Sequence, residues 1–312
     1  MPVQARRVFR LGLTVAIALA VGYGLDLDMP FLVPLFAMLL TATPGPPMPA
    51  KQLLVLVVAV ASVLGLGLLL IRPLEYYPLS AVLMVICGIF IASYMSVNLG
   101  KGPVATFLIV ALTLISSVGT LGWAAAVSLI DSLALGLIIA IVCQWVVYPF
   151  FPEVGVPPAA PPPPTPDQNA WTALRATAII TPVFLLTLTN PTAYAPIVMK
   201  SVSLGQQAST VTAREAGVEL LGSTFLGGCF AILIWFALGL SVNLWMFSLW
   251  ILLFVIYLGA KIYAVSPSAH PASFWSNVGV TALILLGSAV QDSETGKDVY
   301  AAFAVRMGLF VA

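Results

Sequence analysis

The stretch GWAAAVSLIDSLALGLIIAIVCQW, residues 122–145, decides what kind of molecule this is. It is long and apolar enough to cross a bilayer as a helix, which takes about 20 residues. It carries a single charged side chain, Asp131. Stretches of the same kind recur along the chain. Hydrophobic residues make up 61% of it and charged residues only 7%, with mean hydropathy +1.09, against about 25% charged residues in a soluble domain. This composition predicts an all-α, polytopic membrane protein. The net charge of +1 gives no basic surface for nucleic acid.

Working outward from residues 122–145, the hydropathy pattern predicts twelve transmembrane helices in two sets of six. The first set lies near 8–25, 30–43, 51–71, 77–96, 103–119 and 122–149. The second lies near 171–189, 191–207, 213–238, 241–264, 272–289 and 296–312. The second and eighth are short and hold Pro30, Pro34, Pro191 and Pro196, so an irregular or broken helix is expected there. The last span reaches the chain end with little to spare, which reads as a truncated C-terminus. The opening RRVFRLGLTVAIALAVGYGL (6–25) has the look of a signal peptide, but so many spans follow that an uncleaved first helix is the better reading.

Between the two sets lies FPEVGVPPAAPPPPTPDQN (151–169). Its prolines exclude helix and favour an extended, solvated spacer. The expected domains are therefore a first six-helix repeat over 1–150, a cytoplasmic Pro-rich linker over 151–170 and a second repeat over 171–312.

Basic residues in short loops set orientation. With the N-terminus inside, Arg6, Arg7, Arg10, Lys51, Lys101, Arg175, Lys200, Arg214 and Lys261 fall on the inner side, and only Arg72 and Lys297 on the outer. Both termini and the linker are expected in the cytoplasm. The halves also correspond in sequence. Each opens with an arginine entering its first helix (Arg10, Arg175), then a short proline-bearing helix, then a basic residue (Lys51, Arg214). A helix with central small residues follows: AVASVLGLG (59–67) in one half and LLGSTFLGG (220–228) in the other. Six crossings per half give two parallel repeats related by an axis along the membrane normal, an arrangement found in transporters.

Charged groups inside such spans are costly and mark function. Asp131 lies about 13 Å into the sixth helix, near mid-membrane. Arg306 lies at a similar depth in the twelfth, the repeat counterpart. Each is expected to face the interior and find a partner. Arg306 offers a planar fork for a substrate carboxylate; Asp131 takes part in substrate binding and carries a coupling proton if burial raises its pKa. A structural Asp131–Arg306 pair is the competing reading. Thr212 and Glu215 fit a capping box. Glu219, one turn further, is either a proton stop at the cytoplasmic mouth or a local partner for Arg214 or Lys200. Ser223 with Gly227, Thr224 with Gly228 and Ala61 with Gly65 are spaced for close helix packing. Gln144, Gln206, Gln207, Asn98, Asn277, Trp275, Tyr257 and Tyr263 are polar or aromatic candidates for a cavity lining. His270 reads as a solvated loop residue.

Cys87, Cys143 and Cys229 lie in apolar spans without paired spacing, so neither a disulfide framework nor a metal site is expected. No cofactor motif is present, and NLGKGPVAT (98–106) lacks the spacing of a phosphate-binding loop. An enzyme is not expected.

The stretch APIVMKSVSLGQQASTVTAREAGVELLGSTFLGG (195–228), with a fainter copy in PFLVPLFAMLLTATPGPPMPAKQLLVLVVAVASVLGLG (30–67), resembles the fusaric-acid-resistance and aromatic-acid-exporter superfamily of bacterial inner-membrane proteins, FUSC-like. The shared pattern is a short helix, a Gly-containing loop, a basic residue and an L-L-G-[ST]-x-x-G-type helix. The resemblance implies export of small, aromatic organic acids driven by the proton gradient. It also implies a bacterial inner-membrane location and a periplasmic adaptor of the membrane-fusion type as partner. Two departures stand out: Glu219 where relatives commonly have a basic residue, and a proline linker where many have a cytoplasmic domain. An anion channel and a non-transporting scaffold are the alternatives, and the sequence leaves open whether the halves pack within one chain or across a homo-oligomer. The major-facilitator class lacks support, because TPGPPMPAK (43–51) replaces its charged second-to-third loop.

Overall fold

The computed structural model describes residues 2–99, 102–153, 166–191, 194, 198, 213–294, 304, 305 and 308. Among these every regular element is helical. The helices, in chain order, are α1 (Val3–Gly24), α2 (Leu32–Ala42), α3 (Ala50–Tyr76), α4 (Pro78–Leu99), α5 (Gly102–Val110, continued through Ala111–Ile115 and Ser116–Gly119), α6 (Trp123–Val147), α7 (Pro166–Thr189), α8 (Ala213–Leu240), α9 (Leu244–Ile262) and α10 (Ala272–Glu294).

Eight of these are long and apolar enough to span a membrane. In lipid every backbone polar group must be bonded within its own segment, so long apolar runs become helices whatever their intrinsic propensity. The chain is a multi-pass helical membrane protein. Among the described residues the expected count of twelve is not confirmed. Leu32–Ala42 and Val104–Gly119 are shorter apolar helices. The eighth and twelfth expected spans lie largely outside the described residues.

The helices form two compact units. One comprises Met1–Leu54, Ser132–Pro158 and Val218–Ala312; the other comprises Val55–Asp131 and Ala159–Gly217. Each draws on both halves of the chain.

In the first unit α1 packs antiparallel on α9. A side chain on Gly12 would meet Ile256 and Leu252, and one on Gly259 would meet Val8. Helix α2 runs antiparallel to α10 in the same manner, with Phe31 against Gly287 and Met38 against Gly279. Gly227 of α8 lets the backbone of α10 come close: a Cβ there would sit 2.8 Å from the Val278 carbonyl and from Thr281. Small residues thus perform at 227 the packing role expected of them. Asn243 caps α9, its side chain accepting from the Met246 amide at 2.7 Å, which satisfies one free donor of the first turn.

In the second unit the buried stripe Ala81, Val85, Ile89 and Ala92 of α4 packs with α7, whose own stripe is Ala173, Ala176, Ile180 and Phe184. A 3₁₀ stretch of α3 (Leu66–Leu70) lies on a π-helical stretch of α5 (Ala111–Ile115). The contact requires glycine at 67, where a Cβ would stand 2.2 Å from the Ala111 carbonyl oxygen. The expected pairing of Ala61 with Gly65 is corrected here. Gly65 faces open space, and the close approach is made one residue pair later, at Gly67.

Candidate functional site: an arginine cleft at one end of the first unit

Four segments of the first unit bring their ends together: the start of α1, the end of α2 with the loop after it, the end of α6, and the residue after α9. Hydrogen bonds fix the assembly. The Tyr263 hydroxyl donates to the carbonyls of Thr41 and Ala42 at 3.1 and 3.0 Å. Gln144 Nε2 donates to Thr41 Oγ1 at 2.9 Å, and Trp145 Nε1 donates to the Met48 carbonyl at 2.7 Å. Burial pushes Tyr263 up to about 12, opposed only in part by the charges of Arg10 and Arg7, so its hydroxyl remains a neutral donor at physiological pH.

Arginine and glutamate complete the site. Arg10 sits about 10 Å along α1 and is only 4% exposed. Beyond α6 the chain makes a 3₁₀ turn over Tyr148–Phe150 and delivers Glu153 between two guanidinium groups. Arg7 donates to Glu153 Oε1 from Nε at 2.8 Å and also from a terminal nitrogen. Arg10 lies 2.9 Å from Oε2 as an ion pair. Oε2 is buried and accepts no well-aligned hydrogen bond. Burial raises the Glu153 carboxyl, but the contacts and positive charges of Arg7 and Arg10 outweigh it and hold it below the ordinary carboxylate value. Two cations and one anion leave the cluster with one net positive charge.

Arg10 also stacks over the Tyr148 ring, with the guanidinium carbon 5.8 Å from its centroid. An open cleft of about 210 Å³, counting its mouth, is lined by Arg10, Thr41, Thr43, Gly45, Pro47, Gln144 and Tyr148. Arg10 has five N–H donors, and among the described residues its ion-pair partner is Glu153 alone. The cleft therefore offers a buried guanidinium, an aromatic face, an amide and hydroxyls. That donor set suits a small anion.

The residues expected from the sequence to form a site are placed differently. Asp131 is exposed on α6 and makes no ion pair with a described residue. Its expected partner Arg306 lies outside the described residues, as do Thr212, Lys200, Gln206, Gln207 and the side chains of Arg214 and Glu215. Glu219 accepts a hydrogen bond from Ser273 Oγ, in the first turn of α10, where the positive helix end favours a carboxylate. His270 is exposed but not merely solvated: it stacks on Phe274 at 4.3 Å. Beside it Trp275 donates to Ser268 Oγ at 2.7 Å, and Lys261 bonds Ser266 Oγ and the Pro267 carbonyl. These contacts tie down the loop between α9 and α10. Among the described residues no group of three or more His, Cys, Asp or Glu side chains is placed to hold a metal ion.

Sequence reasoning noticed Arg10 and Gln144 without joining them, and passed over Glu153, Thr41 and Tyr148. The available signal was an acid just beyond one apolar span and an arginine a third of the way into another.

Residues 7–147 match the model of a family described as "Protein of unknown function (DUF2955)". The matched stretch carries Arg7, Arg10, Thr41 and Gln144 and stops short of Tyr148 and Glu153. No curated protein and no solved structure matches the chain.

Proposed function

We propose that this chain is a membrane transporter that exports small organic acids, aromatic ones in particular, and that the arginine cleft is where the acid first docks. One observation carries the reading: Arg10 is almost fully buried, lines an open cleft and has guanidinium donors to spare. A buried charge in a membrane protein is costly and is retained where it acts. The guanidinium would take the carboxylate through paired N–H donors, and the Tyr148 ring would lie beside the acid's aromatic body.

The wider reading includes a bacterial inner-membrane location with both termini in the cytoplasm, which puts the cleft at the cytoplasmic face where an exporter loads. The proton gradient supplies the drive, with Asp131 and Glu219 as proton carriers and Arg306 as a deeper docking point. A periplasmic adaptor is the partner. Support comes from the many apolar helices, the lone charge at Asp131 and the resemblance to the fusaric-acid-resistance and aromatic-acid-exporter superfamily.

The test is accumulation of benzoate and of benzamide in cells expressing the wild type or Arg10→Gln at equal membrane levels. Wild type should lower benzoate but not benzamide. Arg10→Gln should lose roughly 10- to 100-fold in transport at low benzoate, the value of a charge-assisted hydrogen bond. Export by Arg10→Gln at the wild-type rate would refute the docking role. A benzoate current that persists without a proton gradient would select an anion channel instead.

A further inference from the structure

We propose that Glu153 is a built-in competitor for the substrate carboxylate: an incoming acid takes Arg10 from Glu153, which remains held by Arg7. The inference rests on the reading of the cleft as a carboxylate site, and it assigns that site its regulation. The contacts of Glu153 are unequal. Arg7 grips Oε1 through two N–H groups, whereas Arg10 approaches Oε2 at 2.9 Å without an aligned hydrogen bond. The firmer anchor is therefore Arg7, and Arg10 holds Glu153 through a single, less well aligned contact.

Arg10 is the arginine that lines the cleft; Arg7 is not among the lining residues. A ligand carboxylate that reaches Arg10 from the cleft meets the Oε2 side of Glu153, and two carboxylates against one guanidinium repel each other. Exchange removes the repulsion at little cost, because Glu153 gives up only its less well aligned contact. The arriving acid supplies the aligned donors' partner that Glu153 does not. When the cleft is empty, Glu153 keeps a buried arginine from standing uncompensated. An empty site is thus neutralised from within, and substrate must outcompete the protein's own carboxylate.

The experiment is binding of benzoate to the purified full chain in detergent, followed by calorimetry. Glu153→Gln should bind roughly 10-fold or more tightly than wild type, and Glu153→Asp, with a shorter reach, should fall between. Adding Arg10→Gln should weaken binding roughly 10- to 100-fold in either background. The gain should persist in 0.5 M salt, since a contact competitor is not screened away as a distant charge is. Arg10-dependent binding that is unchanged or weaker in both Glu153 variants overturns the competitor while leaving the carboxylate site standing. So does a gain that vanishes in salt. Binding that ignores Arg10, or is absent from every protein, removes the carboxylate site itself, and the competitor with it.

Discussion

Helices α3 and α10 reverse the rule of soluble proteins. The most apolar 18 residues of Ala50–Tyr76 have a mean hydropathy of 3.0, yet only 28% of that window is buried. In Ala272–Ser293 the mean is 1.5, and 83% is buried. The less apolar helix is the inner one. In water the apolar face turns inward; in lipid there is no such drive, because lipid tails are as apolar as leucine. What needs an interior is the polar and the small. Asn277, Thr281, Ser288 and Asp292, spaced to fall on one side of α10, are all buried. Thr281 and Ser288 donate to the carbonyls of Asn277 and Ile284 in their own helix. Leu54, Val55, Val58 and Leu69 of α3 are left exposed.

That contrast breaks most sharply at the glycines of the inner helix. A Cβ on Gly287 would stand 2.1 Å from Phe31 Cβ, an atom fixed to the backbone. Gly287→Val should cost about 3 kcal/mol or more through overpacking. Fluorescence-detected gel filtration after heating should show it unfolding well below wild type. Gly279 faces the flexible end of Met38 and a terminal methyl of Leu258, so Gly279→Ala should be milder. Leu83→Ala, on an exposed face of α4, should stay within about 0.5 kcal/mol of wild type. Equal losses at Gly287 and Leu83 would mean that exposure does not separate inner from outer positions in this protein.

The same contrast explains what could be read from the sequence. Spans were legible because a bilayer imposes length and apolarity on every crossing, and α1, α3, α4, α6, α7, α9 and α10 fall close to their expected positions. Which helices lie inside was not legible, since hydropathy runs against burial here. The arginine cleft was hidden for a different reason. Arg7 and Glu153 are 146 residues apart, and Tyr263 is 222 residues from Thr41. In the sequence Arg10 reads as a marker of orientation, a role it shares with loop charges, and Glu153 stands at the head of a proline run. Depth along a helix is visible in sequence. Partnership between helices is not.

A smaller effect sharpens the contrast from its charged side. Hydroxyls of the inner helix satisfy themselves on their own backbone at any pH, whereas Glu153 depends on ionisation. Its folded pKa is lowered from 4.5. Its contribution to stability is therefore complete above the unfolded value and is lost as pH falls through the folded one. At pH 7, Glu153→Ala should cost about 1–3 kcal/mol, because it leaves Arg7 and Arg10 facing each other without a counter-charge. Between pH 5 and pH 3 the wild type should lose stability faster than Glu153→Gln, and the two melting curves should converge at the acid end. Parallel curves across that range would show that Glu153 keeps one protonation state through unfolding. The ion pair would then have no part in holding α1 to the end of α6.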